Sequence, residues 1–128
     1  MSASIALVER IYQASAAGDL NALVAMAAPD LVIQQEPALP WGGRYEGPTG
    51  VVEFFHRLVG TVDTGVTTEA LFAAGDQVIQ YGRSRGTVQS NGATYDIPEC
   101  HVWTIEGDKV TRVEFFIDTP TMMEVLAR

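Results

Sequence analysis

Side chains that can exchange protons are concentrated on two neighbouring segments between residues 99 and 118. Because side chains alternate along a strand, the first segment presents Glu99, His101 and Trp103 on one face. The second segment presents on one face Glu114, Phe116 and Asp118. A face that combines carboxyl groups, an imidazole and aromatic rings has the composition of a ligand pocket, provided that helices cover it.

The turn between the two segments decides which residues face each other. Residues 107 and 108 are Gly-Asp, a pair typical of a two-residue hairpin turn, and such a turn brings His101 directly opposite Glu114. Side chains that face each other on neighbouring strands lie about 5 Å apart. The histidine would then be a general base that a carboxylate orients.

Asp118 follows three large apolar residues at positions 115–117. Removal of a carboxyl group from water raises its pKa and suits it to acid or base chemistry. We therefore predict that His101 and Asp118 are catalytic. The neighbouring ligand-binding residues on the same hairpin are Glu99, Trp103, Glu114 and Phe116.

Two alternatives remain open for this hairpin. A β-bulge near the turn would shift one strand by one residue and exchange its faces, because the side-chain period is two. Glu114 would then point outward, and the inward residues would be Val113, Phe115 and Ile117. In the second alternative the polar face is simply solvated, as one face of an antiparallel sheet often is.

Trp41 lies between a proline and two glycines, in a segment that must be a loop. A large indole there needs an apolar partner, and we predict that it is a lid or wall of the pocket, with the glycines letting the loop close. We expect Tyr45 at the rim, the Tyr12 hydroxyl pointing inward from the first helix, and Phe55 in the wall. In the alternatives, Trp41 plugs the pocket or packs against a second subunit, and the glycines serve tight turns.

The composition is typical of a globular protein. The chain has 128 residues, near the commonest domain length, and we predict one domain over residues 1–128. Sixteen acidic and eight basic side chains give a formal net charge of −8. This charge disfavours nucleic acid and anionic membranes as partners, because both bind basic patches. It does not disfavour a small hydrophobic molecule.

The single cysteine, Cys100, cannot form an internal disulfide, so nothing indicates an oxidising compartment. The N-terminal residues lack the apolar core of a signal peptide, and no apolar run reaches the ~18 residues that span a bilayer. We therefore expect a cytoplasmic protein. No phosphate loop or nucleotide fingerprint is present, and His101, Glu99 and Glu114 lack the spacing of a metal site, so we predict no cofactor and no metal.

Three helices are predicted ahead of most of the strands. Apolar residues at helical spacing indicate a first helix that begins at Ser4 and stops at Gly18. Asp19 caps a second helix, which Pro29 ends, and Pro48 lies in the first turn of a third. A short strand over residues 31–35 comes between the second and third helices.

From residue 67 onward the apolar period changes to two. Runs over residues 68–74, 77–85, 94–105 and 109–118 are separated by Gly-Asp or Asn-Gly pairs, which are strong turn signals. A short helix begins at Thr119. The predicted class is α+β, with three N-terminal helices packed on the concave face of a cone-shaped, curved antiparallel sheet.

The order of these elements and three motifs resemble the nuclear transport factor 2-like superfamily, and most closely its SnoaL-like polyketide cyclase group, which is related to ketosteroid isomerase. The motifs are GDLNALVAMAAPDLVI (residues 18–33), WGGRYEGPTGVVEFFHRL (41–58) and IEGDKVTRVEFFID (105–118). With the intervening strands they cover nearly the whole chain. The resemblance implies a cone-shaped fold but not a reaction, because the superfamily includes isomerases, cyclases, dehydratases, hydrolases and non-catalytic binders.

The resemblance also implies roles for single residues. Asp118 falls where SnoaL-like cyclases keep the aspartate that transfers a proton in ring closure. His101 falls where ketosteroid isomerase keeps a protonated aspartate that donates a hydrogen bond. Gln35 stands where ketosteroid isomerase has its general base. The oxyanion tyrosine of that isomerase aligns with Ile11 rather than with Tyr12. Steroid isomerisation is therefore not expected. The Arg/Asp/Asp set of limonene epoxide hydrolase is not reproduced either.

Three functional hypotheses follow. The first is a cofactor-independent acid/base enzyme, of isomerase, cyclase or dehydratase type, that acts on a small hydrophobic carbonyl or polyketide-like compound. The second is a non-catalytic ligand-binding or accessory protein of the same fold. The third, compatible with both, is a homodimer that buries the convex sheet face, including Val113, Phe115 and Ile117. We favour the enzyme and expect a homodimer.

Overall fold

The computed structural model describes residues 2–128, and in that range it has four helices and one six-stranded sheet. In chain order the elements are α1 (Ala3–Ala17), α2 (Leu20–Ala25), β1 (Ala27–Gln35), β2 (Gly43–Glu46), α3 (Gly47–Thr61), β3 (Val62–Ala74), β4 (Gln77–Val88), β5 (Thr94–Glu106), β6 (Lys109–Ile117) and α4 (Thr119–Leu126).

The sheet is curved, and its strand order is β2-β1-β6-β5-β4-β3. Helix α1 packs against β3 and β4, α3 packs against β1 and β2, and α4 packs against β5. The predicted α+β class is confirmed. One pairing differs from an antiparallel sheet, since β1 and β6 are parallel. Turn signals identify hairpins, but they do not tell which strands distant in sequence lie side by side.

Local capping signals mark where the first helices begin and end. Gly18 ends α1 with a left-handed φ of 67°, and the Asp19 side chain accepts a hydrogen bond from the Ala22 amide at the start of α2. Pro48 lies in the first turn of α3, as predicted. Helix α1 begins two residues earlier than expected, because Ser2 rather than Ser4 is the N-cap.

The boundary between α2 and β1 also differs from the prediction. Helix α2 ends at Ala25, and β1 already includes Pro29. The parallel pairing of β1 with β6 shifts between Ala27 and Val32. Pro29 therefore lies in an irregular part of the strand, where its missing N–H does not break a regular ladder.

Both edge strands were incompletely predicted. Strand β2 lies in the segment that was expected to be a loop, and it pairs antiparallel with β1 from Gln35↔Gly43 to Val32↔Glu46. Strand β3 begins at Val62 rather than near residue 67. Most of β3 is exposed on both faces, so the alternation of apolar and polar residues that reveals a half-buried strand is absent there.

The concave face of the sheet and the helices enclose one apolar core, to which α1 contributes Leu7, Val8 and Ile11. Strand β4 contributes Val78, and β6 contributes Val113. Within the described residues, no helix has the length and apolar character needed to cross a membrane.

Candidate functional site

A cavity of about 430 Å³ lies between the helices and the concave face of the sheet. This volume is within the range of small-molecule sites. Most of the lining is apolar and includes Leu23, Leu31, Val51, Phe54, Val113 and Phe115. Exposed residues of the lining lie on α1, α3 and β3, so the cavity opens to solvent between these elements.

The residues predicted for the site fall into three groups. Those that line the cavity are Tyr12, Gln35, Trp41, Phe55, His101 and Trp103. Tyr45 and Glu99 are buried directly behind this lining. Glu114, Phe116 and Asp118 lie elsewhere, and their prediction as pocket residues is corrected below.

A β-bulge at Thr111 decides which side chains of β6 enter the cavity. The register shifts by one residue at this point, so that His101 pairs with Phe115. The prediction that His101 faces Glu114 is therefore wrong, and the alternative with a bulge is the one that the structure has. A regular two-residue turn does not reveal such a bulge in the sequence.

The bulge turns Glu114 and Phe116 toward solvent. Glu114 forms an ion pair with Arg112 at 3.2 Å, and Phe116 is 51% exposed. The alternating residues of β6, which were expected on a convex dimer surface, instead point into the cavity: Val113, Phe115 and Ile117. That part of the dimer hypothesis is also wrong, because the register reverses both faces of β6.

Asp118 caps helix α4 and does not meet His101. Its Oδ1 accepts a hydrogen bond from the Thr121 amide at 3.3 Å, and its Oδ2 accepts one from Thr121 Oγ1 at 2.7 Å. Strand β6 ends at Ile117, so Asp118 no longer follows the alternation of the strand. Aspartate is a preferred N-cap residue, and this local role accounts for its position.

A chain of hydrogen-bonding groups lies at one end of the cavity. Trp103 Nε1 donates to the Tyr12 hydroxyl at 3.0 Å, and that hydroxyl is 2.7 Å from His101 Nδ1. On the other side of the imidazole ring, His101 Nε2 is 3.1 Å from Glu99 Oε2. The His101 Nε2–Glu99 Oε2 distance is short enough for a hydrogen bond, but the angle at this contact is outside the range of one. Catalytic contacts are often poorly aligned before a ligand binds.

Burial favours the uncharged forms of both His101 and Glu99. Removal from water lowers the pKa of His101 to about 3. It raises the pKa of Glu99 to about 7, although the nearby Gln80 side chain acts in the opposite direction. Burial also raises the pKa of Tyr12 well above its usual value. Neither imidazolium nor tyrosinate therefore forms easily at this end of the cavity.

Gln80 and Thr68 belong to the site although the sequence did not single them out. Gln80 pairs with His101 across β4 and β5, is fully buried, and donates a hydrogen bond to Thr68 Oγ1 at 3.0 Å. A polar residue at an inward position of an alternating strand, next to Val78, was the available signal. Three buried oxygens have no well-aligned partner: Gln80 Oε1, Glu99 Oε1 and Glu99 Oε2.

Trp41 is a wall of the cavity rather than a lid. It is 4% exposed, and the exposed residues of the lining belong to other elements. The Tyr45 hydroxyl donates to the carbonyl oxygens of Trp41 and Gly42 at 3.0 and 3.2 Å, which fixes the loop. A Cβ atom at Gly42 would lie 1.8 Å from the Glu36 carbonyl oxygen, so this glycine serves a tight turn.

A second polar group lies at a distance from His101 in the same cavity. Thr64, Ser84 and Tyr95 all line it, and the Thr64 and Ser84 hydroxyls are 3.4 Å apart. Ser84 is four residues from Gln80 along β4, about 13 Å at the usual rise of a strand. The cavity therefore offers hydrogen-bonding side chains to both ends of an elongated ligand.

Within the described part of the chain, no group of three or more His, Cys, Asp or Glu side chains could hold a metal ion. The outward orientation of Glu114 separates it from His101 and Glu99, the trio considered from the sequence.

A family model described as a SnoaL-like domain matches residues 8–113. The chain belongs to the SnoaL-like domain family. A comparison with curated proteins found no match for this SnoaL-like domain.

Solved structures share the fold over the full length of this SnoaL-like domain. An NTF2-like protein from Burkholderia thailandensis is 30% identical, with 98% of both chains covered and a TM-score of 0.89. An NTF2-like protein of unknown function from Burkholderia pseudomallei is 23% identical, with full coverage of both chains and a TM-score of 0.93. TerC, co-crystallised with polyporic acid, is 21% identical, with a TM-score of 0.90 over 99% of this chain and 100% of its own.

Proposed function

We propose that this SnoaL-like domain is a cofactor-independent enzyme that binds a small, largely apolar carbonyl compound and activates its oxygen by proton donation. The chain of Trp103, Tyr12, His101 and Glu99 at the end of an apolar cavity carries this proposal. A hydrogen-bond donor held at the end of an apolar cavity stabilises the negative charge that develops on a carbonyl oxygen during enolisation, ring closure or elimination. We assign this role to Tyr12 and His101, which line the cavity, rather than to Asp118, which caps helix α4.

The ligand is expected to bind without a charge. Among the described residues, the lining of the cavity contains no lysine, arginine, aspartate or glutamate. An anionic ligand would lose its hydration there without gaining a cationic partner. The protein's net charge of −8 would further oppose its binding.

Both tryptophans of the chain line the cavity, so intrinsic fluorescence reports its occupancy. We expect titrations of this fluorescence to show that 2-acetylnaphthalene binds with at least tenfold higher affinity than 2-naphthoate, a carboxylate of similar shape. Polyporic acid, with which TerC was co-crystallised, is a further probe. Equal affinity for the ketone and the carboxylate would contradict the proposed uncharged ligand.

Tyr12→Phe is expected to weaken 2-acetylnaphthalene binding by about five- to tenfold, because one hydrogen bond to its oxygen is lost. The control ligand is 2-ethylnaphthalene, which lacks the oxygen and should bind both proteins equally. If the variant lost affinity for both ligands alike, Tyr12 would shape the cavity rather than recognise the oxygen.

Turnover separates the enzyme from the alternative of a non-catalytic binding protein. In deuterated water, exchange of the methyl protons of bound 2-acetylnaphthalene reports enolisation by proton NMR. We expect faster exchange with the wild type than in buffer, and at least a tenfold loss with Tyr12→Phe. Tight binding without faster exchange would favour the binding protein.

We also propose that the domain forms a homodimer through the convex face of β3–β6. The outer aromatic patch on this face consists of Phe72, Ile79, Tyr81, Val102 and Phe116, which are neighbours across adjacent strands. Phe72, Tyr81 and Phe116 are each 46–51% exposed. An exposed apolar patch of this kind is typical of an interface.

Phe116→Glu is expected to convert a dimer into a monomer in light-scattering gel filtration, because it places a charge within the apolar interface. Met123→Glu on α4, 38% exposed and outside the patch, is the control and should remain dimeric. A monomeric wild type at micromolar concentration would refute the dimer.

A cytoplasmic location and a single domain over residues 1–128 remain predictions from the sequence.

A further inference from the structure

We propose that Glu99 is the proton reservoir of the site and that it exchanges a proton with the ligand through His101 and Tyr12, with donor and acceptor exchanged at each contact along the path. The contacts of these three residues form one continuous path from a fully buried carboxyl group to the cavity. This inference rests on the proposed function only for its last step, the transfer between Tyr12 and the ligand.

The path begins with the hydroxyl of Tyr12, which has one proton and accepts a hydrogen bond from Trp103 Nε1. Tryptophan is a donor only, so the Tyr12 proton points either at His101 Nδ1 or into the cavity. If the Tyr12 proton points at Nδ1, the Tyr12 oxygen can only accept a hydrogen bond from a ligand in the cavity. If Nδ1 carries a proton and donates to Tyr12, the cavity meets a hydroxyl donor. The tautomer of His101 thus sets what the ligand encounters.

The same tautomer depends on Glu99. When Nδ1 carries the proton, the unprotonated Nε2 can only accept, and the group 3.1 Å away that could donate to it is a protonated Glu99 Oε2. When Nε2 carries the proton, Glu99 is the acceptor. A carboxylate at this position would have two buried oxygens without a well-aligned partner. Such a carboxylate is costly, so the neutral acid persists to a higher pH than in an exposed glutamate.

Proton transfer then proceeds without a charged intermediate on the histidine. The Tyr12 O–H bond breaks as the ligand oxygen gains a proton, and the Nδ1 proton of His101 moves to Tyr12. The Oε2 proton of Glu99 moves to Nε2. The negatively charged oxygen that develops on the ligand thereby becomes a neutral hydroxyl, and Glu99 becomes a carboxylate. Since His101 gains one proton as it loses another, its resistance to forming imidazolium does not block the path.

The groups whose charge could affect Glu99 come from all the elements around it. Gln80 of β4, which pairs with His101, is uncharged, and Ile117 of β6, the register partner of Glu99, is apolar. The titratable groups are Tyr12 on α1, Glu69 on β3, Cys100 and His101 on β5, and Asp118 after β6, whose amide donates to the Pro98 carbonyl oxygen. Glu69 disfavours ionisation of Glu99 by its own negative charge, which reinforces the effect of burial.

The experiment is a pH series of two-dimensional proton–nitrogen NMR spectra on protein labelled with ¹⁵N-histidine and without any ligand. The ring nitrogen shifts distinguish the two neutral tautomers. We expect His101 to hold its proton on Nδ1 at acidic pH and to switch to Nε2 as the pH rises through the ionisation of Glu99. The exposed His56, the other histidine of the chain, is the internal reference.

Glu99→Gln is the matched variant, because glutamine fills the same space and does not titrate. We expect the tautomer of His101 in this variant to be independent of pH. A wild-type His101 that keeps its proton on Nε2 throughout, or that becomes imidazolium instead of switching, would overturn the relay. A switch that persists in Glu99→Gln would do the same. An unchanged dispersion of the backbone amide signals confirms that the variant is folded.

Ligand binding separates failure of the relay from failure of the proposed function. As the pH rises through the ionisation of Glu99, we expect the affinity for 2-acetylnaphthalene to fall by about five- to tenfold in total, the same loss as in Tyr12→Phe, because the donor form is depleted. The affinity of 2-ethylnaphthalene should not change. Ketone binding that does not depend on pH would reject the relay alone, whereas no ketone binding at any pH would reject the proposed function.

Discussion

Replacing Glu99 with glutamine is expected to remove one pH-dependent contribution to the free energy of unfolding, worth about 3 kcal/mol, which neutral Glu99 makes at low pH and which is lost between pH 4.5 and 7. In the unfolded chain this carboxyl group ionises near its usual pKa of 4.5, but burial raises its pKa in the folded protein to about 7. Between these values ionisation stabilises only the unfolded chain. The stabilising contribution of neutral Glu99 is therefore complete below pH 4.5 and lost above pH 7.

The contribution of His101 to the free energy of unfolding changes with pH in the opposite direction, and it does so at lower pH. Its usual pKa is 6.5, and burial lowers this to about 3, so acid protonates the unfolded chain first. The contribution of neutral His101 is complete above pH 6.5 and falls, by up to about 5 kcal/mol, as the pH drops toward 3. Between pH 4.5 and 6.5 the two effects oppose each other, and the stability of the wild type should change little there.

Chemical denaturation at a series of pH values measures both effects. In the window from pH 4.5 to 6.5, Glu99→Gln should lose stability on acidification, because only the His101 effect remains. The control is Glu114→Gln, an acid on the outer side of the sheet, whose pH profile should follow the wild type. An ionised His101–Glu99 pair would reverse the result, since the variant would then lose stability relative to the wild type near neutral pH.

Gly82→Ala is expected to destabilise the protein by about 3 kcal/mol or more. A Cβ atom at this position of β4 would lie 1.9 Å from the Thr67 carbonyl oxygen and 2.9 Å from the Glu69 amide nitrogen. Both are backbone atoms of β3, near the register shift between Thr68 and Ala70, and they cannot rotate away. The strands would have to separate, with the loss of hydrogen bonds between them.

This variant should also disturb the site, because Gly82 pairs with Glu99 on β5 and with Thr68 on β3. Movement of β3 would draw Thr68 away from Gln80, which it contacts at 3.0 Å. Thermal and urea unfolding measure the loss of stability. Gly65→Ala on β3 is the control, since a Cβ atom there meets no atom within 4 Å and should change the stability by less than about 0.5 kcal/mol. Equal effects at both glycines would refute the close-approach argument.

The sequence alone determined the elements whose signals are local. Gly18, Asp19 and Pro48 mark helix ends because capping and proline geometry involve only a few neighbouring residues. The alternation along β5 correctly placed Glu99 and His101 on the inner face, because the strand is half buried and regular. Such patterns were sufficient to predict the α+β class, whereas the superfamily was inferred from the resemblance of three motifs to known proteins.

Only the tertiary structure decided which of these residues act together. One unpaired residue, Thr111, turned Glu114 outward, and no local pattern signals such a bulge when the turn itself is regular. Tyr12 meets His101 from a position 89 residues away, a contact that depends on how α1 crosses the sheet. The pKa values of His101 and Glu99 arise from burial, and burial is a property of the assembled core rather than of neighbours in the chain.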